Sequence, residues 1–344
     1  MATEVTRVID PDMGSGYNYD SLVDWEADRQ RDLVSADEIE VAKCRSTGGS
    51  ADTSGVDIDG WTTDSTRYCK VWCDPSDTGG DGRGGSYAHE GVWPSSGKIY
   101  RCSGRIYCNE YVHIENIAIK HSMNAGPYAG ALAVGAGGVL TAKRCYLENT
   151  GTGAALTVYD APAAQYLYNC ILVIAGGYNH VWCSVAYTYT VYGVYFYNCT
   201  AISKGQAFAA YIAVYSKRSV TCYNCIGVLA SIFSGGGVYL GYSSGGVYGD
   251  YTTASDSTYP SGASNYWTSA IPSFVDATNK DYHLASSDTV AKDKGYNYSS
   301  AGYSDDIDGE TRSGTWDIGA DELNSSLPPQ LLTPQRSVQH MLVR

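Results

Sequence analysis

Tyr-Asn-Cys occurs three times in the middle of this chain, at Tyr168-Asn169-Cys170, Tyr197-Asn198-Cys199 and Tyr223-Asn224-Cys225. These cysteines stand 29 and 26 residues apart, and Cys145, in Lys143-Arg144-Cys145-Tyr146-Leu147, precedes the first by 25. Self-similarity at such a period marks a solenoid, in which each repeat buries its apolar face by stacking on its neighbours.

The residues around each anchor alternate. Leu167, Cys170 and Leu172 are expected to point one way and Tyr166, Tyr168 and Ile171 the other, with Asn169 at a bend. The copies at Val194-Tyr195-Phe196-Tyr197 and Val220-Thr221-Cys222-Tyr223 follow suit. Period two on both sides of one polar residue describes two short strands joined by a tight corner. Asparagine suits that corner because it tolerates the left-handed conformation. At the usual interstrand spacing of about 4.8 Å, the asparagines would form a ladder and the cysteines an inner column. A further strand precedes each anchor, at 131–134, 155–158, 184–187 and 212–215, with 238–240 continuing the series. Gly-rich corners such as Gly135 to Gly138 and Gly235 to Gly237 join them. The expected fold is all-β, a right-handed parallel β-helix.

One elongated domain accommodates all 344 residues, because repeat arrays lengthen without a second core. The expected divisions are a cap with first rungs over 1–98, central rungs over 99–250, a closure over 251–322 and a tail over 323–344. The net charge of −13, with no Lys/Arg-rich run, excludes a nucleic-acid partner, whose phosphates demand a basic face. No stretch has the apolar length of a membrane span. The amino terminus lacks the apolar segment of a secretory signal peptide. The 11 cysteines are expected as free thiols packed as small hydrophobes. Cys69/Cys73 and Cys222/Cys225 are spaced like half of a zinc site, but no histidine lies near either pair in sequence, and core packing is the simpler account.

Residues 19–33 form the strongest helical pattern, capped by Asp20 or Ser21, with Leu22, Trp25, Ala27 and Leu33 on an apolar side. It is expected to cover the open first rung. After Tyr251 the repeat fades. Phe274-Val275-Asp276, Asp281-Tyr282-His283-Leu284, Asp306-Ile307-Asp308-Gly309-Glu310-Thr311-Arg312 and Trp316-Asp317-Ile318-Gly319-Ala320-Asp321-Glu322 follow in that order. This series resembles the carboxy-terminal closure of right-handed parallel β-helix proteins of the pectate-lyase-like superfamily. Val8-Ile9-Asp10-Pro11, Tyr19-Asp20-Ser21-Leu22, Trp25-Glu26 and Asp59-Gly60-Trp61 also look like β-helix proteins of phage and environmental genomes. The resemblance implies polysaccharide lyases or hydrolases, whose chemistry calls for paired carboxylates or for an acidic calcium site with an Arg or Lys base.

Between His121 and Gly249 the carboxylates are Glu148 and Asp160, and the basic residues Lys143, Arg144, Lys204, Lys217 and Arg218. Glu148 with Lys143 or Arg144 reads as a surface ion pair. No catalytic residue, metal ligand or cofactor is assigned from the sequence. A structural calcium ion would find oxygen-rich loops at Asp74, Asp77 and Asp81 or at Asp305, Asp306 and Asp308. His113 and His121 read as satisfied or solvent-facing.

Tyrosine is the compositional anomaly, with 31 residues against 23 Lys and Arg combined. Tyr168, Tyr197 and Tyr223 fall at one outward position and Tyr166 and Tyr195 at another, with Tyr187, Tyr215 and Tyr239 on a second face. Such columns brace a ladder through cross-strand contacts, and they are also surfaces for stacking on sugar rings or packing on another subunit. The chain is accordingly expected to be a non-catalytic structural or adhesive appendage, such as a phage fibre, spike, virion decoration protein or surface filament. Its expected partners are its own copies, other virion or surface proteins, and glycans bound at Tyr166, Tyr168, Tyr195, Tyr197 and Tyr223. Its expected location is a virion or extracellular surface. The alternatives are a carbohydrate-active enzyme, as the superfamily resemblance implies, and a monomeric glycan-binding module.

Overall fold

Asn169, Asn198 and Asn224 adopt left-handed backbone conformations, with φ of 53°, 50° and 52°. Each turns the chain between two short strands of different sheets, Gln165–Tyr168 and Ile171–Ile174 in the first copy. Asn224 Nδ2 donates to Asn198 Oδ1 at 2.9 Å, and Asn198 Nδ2 to Asn169 Oδ1 at 3.0 Å. The ladder starts earlier than the tripeptide does, since Asn116 (φ 59°) and Arg144 (φ 50°) occupy the same corner in preceding rungs. We expect Asn198→Ala to cost about 2–3 kcal/mol, because it orphans buried amide groups above and below and places alanine at positive φ. A fall in the urea midpoint at unchanged slope would report it.

The described residues of this computed structural model are 2–123, 130–151, 153–159, 161–174, 180–182, 193–203, 211–216, 220–229, 239–243, 247–254 and 262–323. Among them, one parallel sheet runs through nine strands from Thr3–Ile9 to Val247–Asp250. A second, of eight strands, runs from Arg101–Cys102 to Tyr266–Trp267. The third side comprises a four-stranded sheet ending at Ala154–Val158 and a three-stranded one from His180–Trp182 to Tyr239–Ser243. This is the right-handed parallel β-helix. The expected strands at 131–134 and 155–158 fall within Gly130–Val134 and Ala154–Val158. The one at 184–187, the Gly235–Gly237 corner and residues 324–344 lie outside the described residues. No helix among the described residues is long and apolar enough to cross a membrane.

Inside, Cys145, Cys170, Cys199 and Cys225 form the expected column, at most 4% exposed. Each approaches the carbonyl two residues before it, as Cys170 Sγ does Tyr168 O at 3.2 Å. Burial pushes their thiols well above the ordinary range. Cys69, Cys73 and Cys222 are likewise free and buried, so the paired spacings reflect core packing.

The amino-terminal helix is shorter than its sequence pattern. It runs over α1 (Leu22–Arg29), capped by Ser21, before the chain extends at Gln30 and Asp32 caps a second turn, α2 (Leu33–Ala36). Leu22, Trp25 and Leu33 are fully buried and close the first rungs. Ala27 is exposed, contrary to expectation, and Glu26 takes the inner side. Glu26 repays its burial by accepting from Trp61 Nε1 at 3.3 Å and Gln30 Nε2 at 2.5 Å.

After the last strand of the stack, Tyr266–Trp267, residues 268–323 do not extend it. They run back along its flank as a strap over the outer face of the eight-stranded sheet. Outward Ala118, Tyr146, Ile171, Val173, Ile202, Ile226 and Val228 pack there on Tyr282, Leu284, Ala291, Ile307, Ile318 and Ala320. Thr200 Oγ1 accepts from Ala320 N at 3.0 Å and Asn224 O from Gly319 N at 2.8 Å. The outward apolar positions of the repeat, such as Ile171, thus have a partner from the same chain.

Candidate functional site

The outer face of the nine-stranded sheet remains beside the strap. Parallel in-register pairing places like residues one strand spacing apart, so two columns form. The first holds Trp72, Glu115, Lys143, Tyr168, Tyr197, Tyr223 and Asp250. The second holds Lys70, His113, Thr141, Tyr166, Tyr195, Thr221 and Tyr248. Ring centroids are 5.1 Å apart for Tyr166 and Tyr195, 5.3 Å for Tyr168 and Tyr197, and 5.5 Å for Tyr197 and Tyr223.

The columns differ in exposure. Tyr303 of the strap lies 4.5 Å from Tyr168 and 5.2 Å from Tyr197, and Tyr298 lies 5.2 Å from Tyr223. Burial under this roof pushes Tyr168 up to about 12 and raises Tyr197. Among the described residues, the ring partners of Tyr166 are Tyr168 and Tyr195, and Tyr248 is 47% exposed. Of the five tyrosines singled out from sequence, Tyr168, Tyr197 and Tyr223 therefore wall the face where the strap begins, and Tyr166 and Tyr195 lie farther out on it. Tyr187 lies outside the described residues.

At one end of the aromatic track stands a charged group. Glu115 Oε2 is 3.5 Å from Lys70 Nζ and 4.0 Å from Arg144 Nη2, while Arg144 Nη1 pairs with Asp305 of the strap. Asn169 Nδ2 donates to Asp305 Oδ1 at 2.8 Å, and Lys143 Nζ lies 5.9 Å from the Tyr168 ring centroid. His113 stacks on Tyr68 at 3.8 Å, and burial lowers it to about 4, so it is neutral near pH 7. Two carboxylates 190 residues apart in the chain thus flank one guanidinium at the edge of a tyrosine face. The sequence concealed this arrangement: Glu115 precedes the Tyr-Asn-Cys rungs, and Asp305 arrives from 161 residues away. One signal was available, namely Arg144 in a corner where neighbouring rungs carry asparagine.

A second polar cluster lies between the strap and the loop around residues 83–91. His283 Nδ1 is 2.6 Å from Asp281 Oδ1, and its Nε2 is 3.0 Å from Asp308 Oδ2. Burial alone would lower this imidazole, but the flanking Asp281 and Asp308 hold it well above its ordinary value. Burial raises Asp321 to about 6 and Asp306, helped by the charge of Asp308, to about 8. Asp308 itself is held low, since His283 and Arg83 outweigh its burial. His89 is fully buried and is driven to about 3 by that burial and then by Arg83.

Other residues weighed from sequence fall elsewhere. Glu148 is not a surface partner of Lys143 or Arg144. It is fully buried beneath the strap, bonded by Lys280, with Lys120 at 4.0 Å and Tyr146 Oη donating at 3.2 Å. Its strand is overlaid by a segment too distant in sequence for the pairing to be foreseen. The acidic loop at Asp74 and Asp77 receives Lys43, at 3.1 and 2.6 Å, and Asp81 accepts from Lys98 N. Asp305, Asp306 and Asp308 diverge, to Arg144, to backbone amides and to His283 respectively. Asn198, formally a glycosylation sequon, is fully buried in the ladder.

The chain is similar to two solved structures. The pectin methylesterase PemA from Erwinia chrysanthemi is 13% identical, with a TM-score of 0.42 over 76% of this chain and 80% of that chain. A pectin methylesterase mutant in complex with a hexasaccharide is 11% identical, with a TM-score of 0.38 over the same shares. No family model matches the chain, and no curated protein matches it.

Proposed function

We propose that this is a carbohydrate-active β-helix protein that lays an extended glycan along the outer face of its nine-stranded sheet. The observation that carries this is the in-register column through Tyr166 and Tyr195, 5.1 Å apart, beside the column that leads through Lys143 to Glu115 and its Arg144–Asp305 partners. Rings repeated at strand spacing line a continuous aromatic strip for successive sugars, at small entropic cost because each ring is already braced by its neighbour. The carboxylates and guanidinium at the end of the track supply the directional hydrogen bonds that stacking lacks. They also supply groups able to accept or donate a proton to a bound chain.

A panel of soluble polysaccharides, examined by affinity electrophoresis and for released product, tests this. At least one glycan should bind, and Tyr195→Ala should weaken it by roughly tenfold, the worth of one stacked ring. Turnover should disappear in Glu115→Gln with binding retained. Binding without turnover would instead favour the non-catalytic appendage, which uses the same surface. Absence of any glycan binding would remove both readings.

A further inference from the structure

We propose that His283, Asp308 and Asp321 form a binding site for a divalent transition-metal ion of the zinc or manganese type. The site lies on the strap, apart from the tyrosine face, and stands independently of the glycan reading.

The donor atoms, one imidazole nitrogen and two carboxylate oxygens, all lie within 4.8 Å of one another. Donors that share such an ion at bonds of about 2.1 Å stand at most about 4.2 Å apart, so only a small contraction is required. Asp281 Oδ1 lies 2.6 Å from His283 Nδ1, which fixes the ring and leaves Nε2 to face the two carboxylates. That order, carboxylate to imidazole to metal, is the usual outer support of a histidine ligand.

Two further observations point to a bound ion. His283 Nε2 and Asp308 Oδ1 are both buried without a hydrogen-bond partner, although Nε2 lies 3.0 Å from Asp308 Oδ2. Buried polar atoms in folded proteins are almost always satisfied, and an ion among them would satisfy both. The space beside the ring is also kept clear. Gly91 has φ +71°, and a Cβ there would lie 2.5 Å from His283 Nε2. The neighbouring cation, Arg83, spends Nη2 on the carbonyls of His89 and Ile307 rather than on the three donors. The His283 and Asp308 side chains remain 18% and 27% exposed, which gives an ion a way in.

One imidazole and two carboxylates suit zinc or manganese and offer too few oxygens for calcium. Three protein donors leave the remaining coordination positions to water. Bound there, the ion would join three stretches of the strap, around Asp281 to Leu284, Asp308 and Asp321.

The full chain, stripped with chelator and dialysed, should be titrated calorimetrically with Zn²⁺, Mn²⁺ and Ca²⁺ separately. One equivalent of Zn²⁺ or Mn²⁺ should bind saturably, far more tightly than Ca²⁺, and raise the melting temperature. Asp308→Asn and His283→Gln should each weaken it by roughly a hundredfold or more, and Asp281→Asn by about ten- to a hundredfold. If circular dichroism shows His283→Gln unfolded, the partly exposed Asp308→Asn decides the matter. No one-to-one transition-metal binding by the native chain, or affinity unchanged in a folded Asp308→Asn variant, overturns the proposal.

Discussion

Replacing Arg312 with alanine is expected to lower unfolding stability by about 3–5 kcal/mol, the range seen when a buried charge network loses one partner. The Arg312 side chain is fully buried and holds together most of the strap's final turn. Its Nη1 donates to Asp317 O, Asp321 O and Glu322 Oε2, its Nη2 to Gly319 O and Ala320 O, and its Nε to Asp305 O. Alanine would leave these acceptors buried together with an unpaired Glu322 carboxylate. Lysine should rescue little, since a point charge cannot reproduce the planar fork. Urea unfolding of the variant, followed by tyrosine fluorescence as Tyr298 and Tyr303 leave the rungs, would measure the loss. A change below about 1 kcal/mol, the usual size of a surface effect, would show that Arg312 does not secure the strap.

His89 is expected to contribute a loss of stability on acidification between about pH 6.5 and 3, against the opposite contributions of the raised Asp306 and Asp321. In the native chain His89 Nε2 lies 2.9 Å from Arg144 O and Nδ1 accepts from Gly91 N at 3.0 Å. The neutral ring with its proton on Nε2 satisfies both contacts. Protonating Nδ1 would oppose it to an amide hydrogen, inside a buried site beside Arg83. The ring is accordingly held at about 3, against about 6.5 in an unfolded chain. In that window the unfolded state takes up a proton that the native state refuses. This contribution is therefore complete above pH 6.5 and declines as pH falls, by up to about 1.4 kcal/mol per unit and roughly 4 kcal/mol in all. His113, lowered to about 4, adds a term of the same sign. His283, held high by Asp281 and Asp308, works oppositely: its contribution is full at low pH and fades as pH rises above its unfolded value. Urea unfolding of native protein and His89→Gln at intervals from pH 7.5 to 4 would separate these. The variant should gain stability relative to native protein toward the acid side, and parallel curves would exclude His89 as a source.

The repeat made the rungs legible because the information is local. Asn198 sets its own corner through side chain and φ, and Cys199 is inward because its neighbours alternate. Glu115-Asn116-Ile117 makes the same corner without tyrosine or cysteine, so its rung was less conspicuous. Arg144 makes it with no motif residue in the left-handed position. The tyrosine columns followed from the same alternation. Which column would be walled did not, because Tyr303 reaches Tyr168 across more than a hundred residues of chain. The same limit hid Lys280 over Glu148, Asp305 beside Arg144, and His283 facing Asp308. Each joins the strap to the solenoid or to another part of itself, and the path of the strap is set by its fit to outward residues such as Ile171 and Ile226 rather than by its own periodicity.

A bare stack of rungs behaves as a one-dimensional chain of neighbours, free to fray from either end. The strap changes that connectivity. Ile307 O accepts from Arg83 Nη2 at 3.0 Å, and Asn224 Oδ1 accepts from Tyr296 N at 2.9 Å, so early and late turns are bound to one common element. Detaching an end rung then requires part of the strap to lift, and the array should melt as one cooperative unit. The same closure raises the sequence separation of native contacts, which slows folding. The last-made segment of the described chain thus completes the tie between turns that could otherwise have formed one after another.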